Sequence, residues 1–195
     1  MAETNIDTSL MTVGKPTEGG CVYVSFNTDC TLPTDATTKI STLTDFKSVG
    51  DISENGFTEA RSIDSEDIKD WGGTTILTLI NGDTTTFQTE FLEVNRDVAC
   101  KLRYGKDAVT TGTDGSVSEV KYKSYAGDPV VLVIDELETN GAIRRTVIKS
   151  AVVTSFDDIT HQKGSLMVYG MTFTANAPKD GSEPVVIYRS KVASA

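Results

Sequence analysis

The stretch from Ile76 to Gly105, ILTLINGDTTTFQTEFLEVNRDVACKLRYG, constrains this chain more than any other, because the period of its apolar residues changes within it. Ile76, Leu77, Leu79 and Ile80 run apolar and Asn81-Gly82-Asp83 interrupts. Then Thr85, Phe87, Thr89 and Phe91 alternate with Thr84, Thr86, Gln88 and Glu90. Strand-like patterning on both sides of an Asn-Gly pair predicts a β-hairpin turning at Asn81-Gly82. From Glu93 onward Val94, Val98 and Leu102 recur at a helical interval with Ala99 beside them, which predicts a helix over about 92–104. Glu90 and Glu93 suit its positive end, Lys101 and Arg103 its negative end, and Gly105 its stop. The unit reads as a hairpin followed by one short helix laid on a sheet.

The rest of the chain is mostly strand and loop. Cys21–Phe26 is a short strand, and the Thr-rich connection after it is too polar for core but suited to an edge strand. Phe46–Ile52 reads as another strand, and the charged segment 53–73 as a long loop ending in the chain's single tryptophan, Trp71, and Gly72-Gly73. A weakly alternating stretch over 117–125 follows the DGSVSE turn, whose acids lack EF-hand spacing. Pro129–Glu138 meets Asn140-Gly141 and returns as Ala142–Ser155. Leu166–Ala175 and Val185–Tyr188 complete the strands. This is a mainly β chain, a sandwich or barrel with one flanking helix and long loops. It reads as one domain over residues 1–195, with a flexible arm at about 1–19 and a short tail at about 189–195.

Only 38% of the 195 residues are hydrophobic, low for a compact globule of that length, so some of the sequence is expected not to be buried in the monomer. The formal charge of -10 disfavours nucleic-acid binding, because like charge meets the phosphates and no counterion release rewards contact. Cys21, Cys30 and Cys100 are odd in number with no CxxC spacing, and are expected as buried reduced thiols. The N-terminus lacks the basic and apolar regions of a signal peptide, and no run reaches the roughly 18 apolar residues of a membrane span, so a cytoplasmic protein without membrane contact is expected.

Catalytic constellations are missing. His161 is the single histidine, which excludes multi-histidine metal sites, and no GxSxG, HExxH, Walker or GxGxxG pattern occurs. The neighbouring acids Asp157-Asp158 and Glu66-Asp67 lie in segments read as loops of an acidic chain, where such pairs arise by chance. A non-enzymatic protein with no cofactor and no metal is expected.

The order FKSVGDISENGFTEARSIDSEDIKDWGG, TTILTL, TTTFQTEFLEVNRDVACKLRYG resembles the major tail protein, or tail tube protein, of long-tailed, siphovirus-type bacteriophages. The resemblance rests on Gly50, Ile52-Ser53, Asn55-Gly56, Glu66-Asp67-Ile68, Trp71-Gly72-Gly73, Phe87 and Phe91-Leu92-Glu93, Asn95 and Tyr104-Gly105. It is close over about 44–105 and extends to the later hairpins only in pattern. It implies a tail-tube β-sandwich assembled as stacked hexameric rings into a hollow virion tube. Phage DNA passes through such a tube into the host without specific binding. It also implies assembly in the host bacterial cytoplasm with a tape measure protein, a tail terminator and distal tail or baseplate proteins. A non-enzymatic β-sandwich binding module, of adhesin or carbohydrate-binding type, is the alternative.

Two groups of residues carry the functional expectation. Segment 53–73, with Glu54, Asn55, Arg61, Asp64, Glu66, Asp67, Lys69, Asp70 and Trp71, is expected to join successive rings. It is read as mobile alone, with Trp71 anchoring its fixed end. The strand after Asn140-Gly141 and the strand 166–175 are expected to help line a lumen carrying more acid than base, with the Asn140-Gly141 turn requiring positive φ.

Overall fold

The computed structural model describes residues 11–17 and 21–190, so most of the expected N-terminal arm and the C-terminal five residues lie outside the described residues. The strands are β1 (Gly14–Pro16), β2 (Val22–Ser25), β3 (Lys47–Ser48), β4 (Ile52–Lys69), β5 (Thr75–Phe91), β6 (Val109–Thr111), β7 (Val117–Val120), β8 (Val130–Glu138), β9 (Ile143–Phe156), β10 (Tyr169–Ala175) and β11 (Val185–Arg189), with one α-helix, α1 (Asp97–Tyr104). Nine strands form an antiparallel sheet in the order β3-β2-β8-β9-β10-β5-β4, with β1 added to β8 and β11 to β9, while β6 and β7 pair separately. Within the described part of the arm, Gly14–Pro16 is a strand paired with Glu136–Glu138.

Strand β9 makes the sheet fold over. Its first half, Arg144–Ile148, lies between β8 and β11, and from Ala151, which still pairs with Val130 of β8, β10 takes the place of β11. The two halves face each other: Phe87 and Phe91 of β5 and Phe173 of β10 share one cluster with Leu132 and Ile134 of β8 and Ile148 of β9. Burying each such side chain contributes about 1.5–3 kcal/mol. The Phe91 and Phe173 rings meet edge to face at 6.3 Å. The fold is the expected mainly β sandwich with one helix.

Helix α1 is shorter than expected. It begins at Asp97, not near Leu92, because the Arg96 backbone is extended (φ -73°, ψ 135°); upstream the Glu93 carboxylate accepts from the Asp51 N–H at 3.0 Å and from Arg96 Nε at 2.8 Å. A helix of 8 residues is marginal alone. Burial of Val98, Ala99 and Leu102, an Asp97–Lys101 pair at 3.1 Å and the positive φ of Gly105 at its end hold it in place.

The Thr-rich connection is a coil with one 3-10 turn at Ile40–Thr42, not an edge strand. It covers the outer face of β8 and β9, where Cys30, Ile40 and Phe46 pack on Val131, Val133 and Val147. Arg145 pins it: Nε and Nη2 donate to the Asp135 carboxylate at 2.7 Å each, and Nη1 donates to the Asp35 and Thr38 carbonyls at 2.8 Å each. Inside that coil the Thr38 and Thr37 hydroxyl and amide groups hold the Asp35 carboxyl well below the usual range. The three cysteines are free and buried, and burial pushes the Cys21 thiol up to about 11, so it stays protonated at neutral pH.

Candidate assembly interface

Residues 53–73 do not form a loop. They include most of β4, an 18-residue strand paired from Phe57 to Lys69 with the 17-residue β5. Cross-strand pairing satisfies the backbone that a loop would leave to solvent. The turn is also elsewhere than expected. Chain reversal occurs at Asp70-Trp71-Gly72-Gly73, where the Asp70 carbonyl accepts from Gly73 N at 3.0 Å, the Asp70 carboxylate accepts from Thr74 N at 2.8 Å, and Gly73 has φ +85°. At Asn81-Gly82 the strand runs on. Asp64 opposes Gly82 and Ser65 opposes Ile80, so Asn81 is the extra residue of a β-bulge.

Only Thr85–Phe91 of β5 has a second neighbour, β10. Residues 75–84 pair with β4 alone, and that ribbon projects about 33 Å from the body with both edges open. Its register fixes its faces. Ile68 opposes Leu77 and Glu66 opposes Leu79 on one side, and Ser65 opposes Ile80 on the other, so apolar groups stand on both faces. Ile63, Ile68, Ile76, Leu77, Leu79 and Ile80 are each 40–65% exposed, and Trp71 at the tip is fully exposed. The tryptophan thus marks the free end of the segment, not its anchored base. The ribbon accounts for seven of the large exposed apolar side chains among the described residues. A strand apolar on both faces is one built to be covered on both.

Every residue singled out in segment 53–73 falls on this hairpin. Glu54 and Asn55 sit in the irregular entry between Ile52 and Phe57, where Asn55 Nδ2 donates to Glu90 at 3.4 Å. Arg61 bonds Asp83 across the strands with Nε–Oδ2 at 2.7 Å. Asp67 accepts from the Thr78 hydroxyl at 2.7 Å, while Asp64 faces Gly82 and Lys69 faces Thr75. Residues 62–84 hold Asp64, Glu66, Asp67, Asp70 and Asp83 against Lys69 alone. Charges of this kind on an open edge strand oppose random edge-to-edge pairing.

Asn140 and Gly141 lie apart from the hairpin, at the β8–β9 turn. Gly141 alone has positive φ, +81°, with its N–H donating to Glu138 O at 2.9 Å. Asn140 instead accepts from Ala142 N through its side chain at 2.9 Å. Strand β9 after that turn is buried through Thr146, Val147 and Ile148, and only its end reaches an open surface. The opposite side of β10 and β5, away from the phenylalanines, is that surface. It carries Thr58, Thr84, Thr86, Gln88, Thr172 and Thr174, with Thr154 of β9 bonded to Thr174 at 2.9 Å between hydroxyls. No lysine or arginine stands among them.

The apolar run Ile76–Ile80 is an exposed feature that the expectation of a hairpin turning at Asn81-Gly82 did not single out. Its lack of alternation was the signal, since a half-buried strand alternates. Among the described residues, no three His, Cys, Asp or Glu are grouped to hold a metal ion, and no helix is long and apolar enough to cross a membrane.

Curated proteins give no match to this sequence. Two solved structures resemble the fold weakly. One, the virion of a native gene transfer agent particle, is 10% identical with a TM-score of 0.37, covering 75% of this chain and 89% of the other. The second, the tube terminating cap of an anti-feeding prophage, is 12% identical with a TM-score of 0.39, covering 97% and 100%. At these scores neither likeness bears on the argument. The model of one family, described as phage tail tube protein, matches residues 17–192, nearly the whole chain. A long strand pair that leaves its apolar faces open, on a sandwich with one helix, agrees with a protein whose surface is completed by its neighbours, and the chain belongs to the phage tail tube protein family.

Proposed function

We propose that the chain polymerises as stacked hexameric rings into the tube of a long-tailed phage, through which DNA leaves for the host. Assembly takes place in the host bacterial cytoplasm, around a tape measure protein and between a tail terminator and distal tail or baseplate proteins. The carrying observation is the projecting β4–β5 ribbon, whose apolar side chains nothing among the described residues covers. It is the joint between rings. The threonine-rich face of β5 and β10 lines the lumen, where hydroxyls without cations let phosphate pass, and the net charge of -10 permits a lumen with more acid than base.

The register gives a clean test. Ser62 opposes Thr84, so replacing 63–83 by Asn-Gly closes a two-residue turn on an existing pair and leaves the β5–β10 ladder whole. A deletion within Glu54–Ser65 would instead cut strand that belongs to the body. The variant is expected to fold with a normal β spectrum and to form no stacked tubes in light scattering or electron microscopy. Normal tubes from it would refute the joint. Wild-type protein that stays monomeric at high concentration would refute the tube.

A further inference from the structure

We infer that the ribbon tip of one copy docks in a groove at the opposite end of β5 on a second copy. This rests on the tube reading and names the receiving surface. The groove, about 570 Å³, is lined by Leu92, Val94, Leu166 and Met167 together with Asn95 and the Glu93–Arg96 ion pair. Leu166 is 72% exposed and Met167 39%, so the groove, like the tip, leaves apolar groups open to water.

The geometry identifies the occupant. Leu92 and Val94 follow directly on Phe91, the last residue of β5, and the Tyr169–Phe91 pair brings Leu166 and Met167 to the same end. The tip stands at Thr75, the other end of this 17-residue strand, about 55 Å away at ordinary strand rise. A paired strand cannot bend back on itself, so a chain cannot fill its own groove with its own tip. A second copy can. Donor and acceptor surfaces are different patches, which makes the contact heterologous, and their placement along one strand makes it repeat by displacement along that strand. Two tips packed on each other would instead close a dimer and stop growth. The area suits the purpose: seven large apolar side chains at these exposures present on the order of the 800 Å² that a standard interface takes from each partner.

Trp71 is the chain's one tryptophan, so its fluorescence reports the tip alone. Wild-type protein is expected to shift its emission to the blue as tubes form. The groove variant Leu166→Glu/Met167→Glu, altering exposed side chains, should keep red emission and form no long tubes, as should the tip variant Trp71→Glu by microscopy. Mixed together, the two variants should form short stacks of limited length, because each retains the surface the other lacks. Wild-type tubes whose Trp71 stays exposed, or normal tubes from a folded groove variant, would overturn the docking while leaving the tube intact. Wild-type protein that never assembles would overturn both.

Discussion

Arg145 shows how a single residue holds the outer layer. It is 2% exposed, and Asp135 opposite it is 6% exposed. Its guanidinium closes a bidentate pair and still reaches two carbonyls of the covering coil. Arg145→Met therefore leaves Asp135 charged and buried and should cost about 3–5 kcal/mol in urea unfolding, whereas Arg145→Met/Asp135→Leu should recover much of that loss. A second residue gives a pH signature. Burial raises the Glu136 carboxyl, with Glu138 and Glu59 adding to the shift and Arg144 opposing it. A folded pKa above the unfolded one means stability present at low pH is lost as pH rises through the folded value. Glu136→Gln should remove that loss, so its unfolding free energy should fall less than the wild type's just above the ordinary carboxylate range. Neither residue was legible beforehand, since the sequence does not say which charges the fold will bury.

At the scale of elements, alternation in 84–91 placed one face of β5 correctly, because Phe87 and Phe91 have to leave water whatever surrounds them. The turn was misplaced. Asn81-Gly82 carries the residues of a tight hairpin, yet a turn there would leave the acidic strand 53–69 without a partner. Pairing it with 75–91 satisfies both backbones and moves the reversal to Gly72-Gly73. Local turn chemistry lost to strand pairing. The β8–β9 turn allows a matched prediction. Gly141, at φ +81°, should lose about 1–2 kcal/mol on replacement by Val in thermal or urea unfolding. Asn140→Val gives up one side-chain hydrogen bond to Ala142 N and should cost about 1 kcal/mol. Equal losses well above that at both positions would show that both need positive φ.

For the whole molecule, the low hydrophobic content implied sequence that the monomer does not bury, while the unbroken apolar run Ile76–Ile80 was read only as one arm of a hairpin and not as exposed surface. What the sequence left out was where that surface stands, because projection depends on β10 ending at Ala175 and leaving half of β5 unflanked. The groove at Leu166 and Met167 was hidden for the same reason, since both were read as strand and both precede it. The central claim is that the ribbon is completed by other copies in a hollow polymer. A cryo-electron microscopy reconstruction of the concentrated protein tests it most directly. The account predicts stacked rings around an open lumen, with the threonines of β5 and β10 facing inward and Ile76–Ile80 buried between rings. A solid fibre, or rings joined with Ile76–Ile80 still facing solvent, would contradict it.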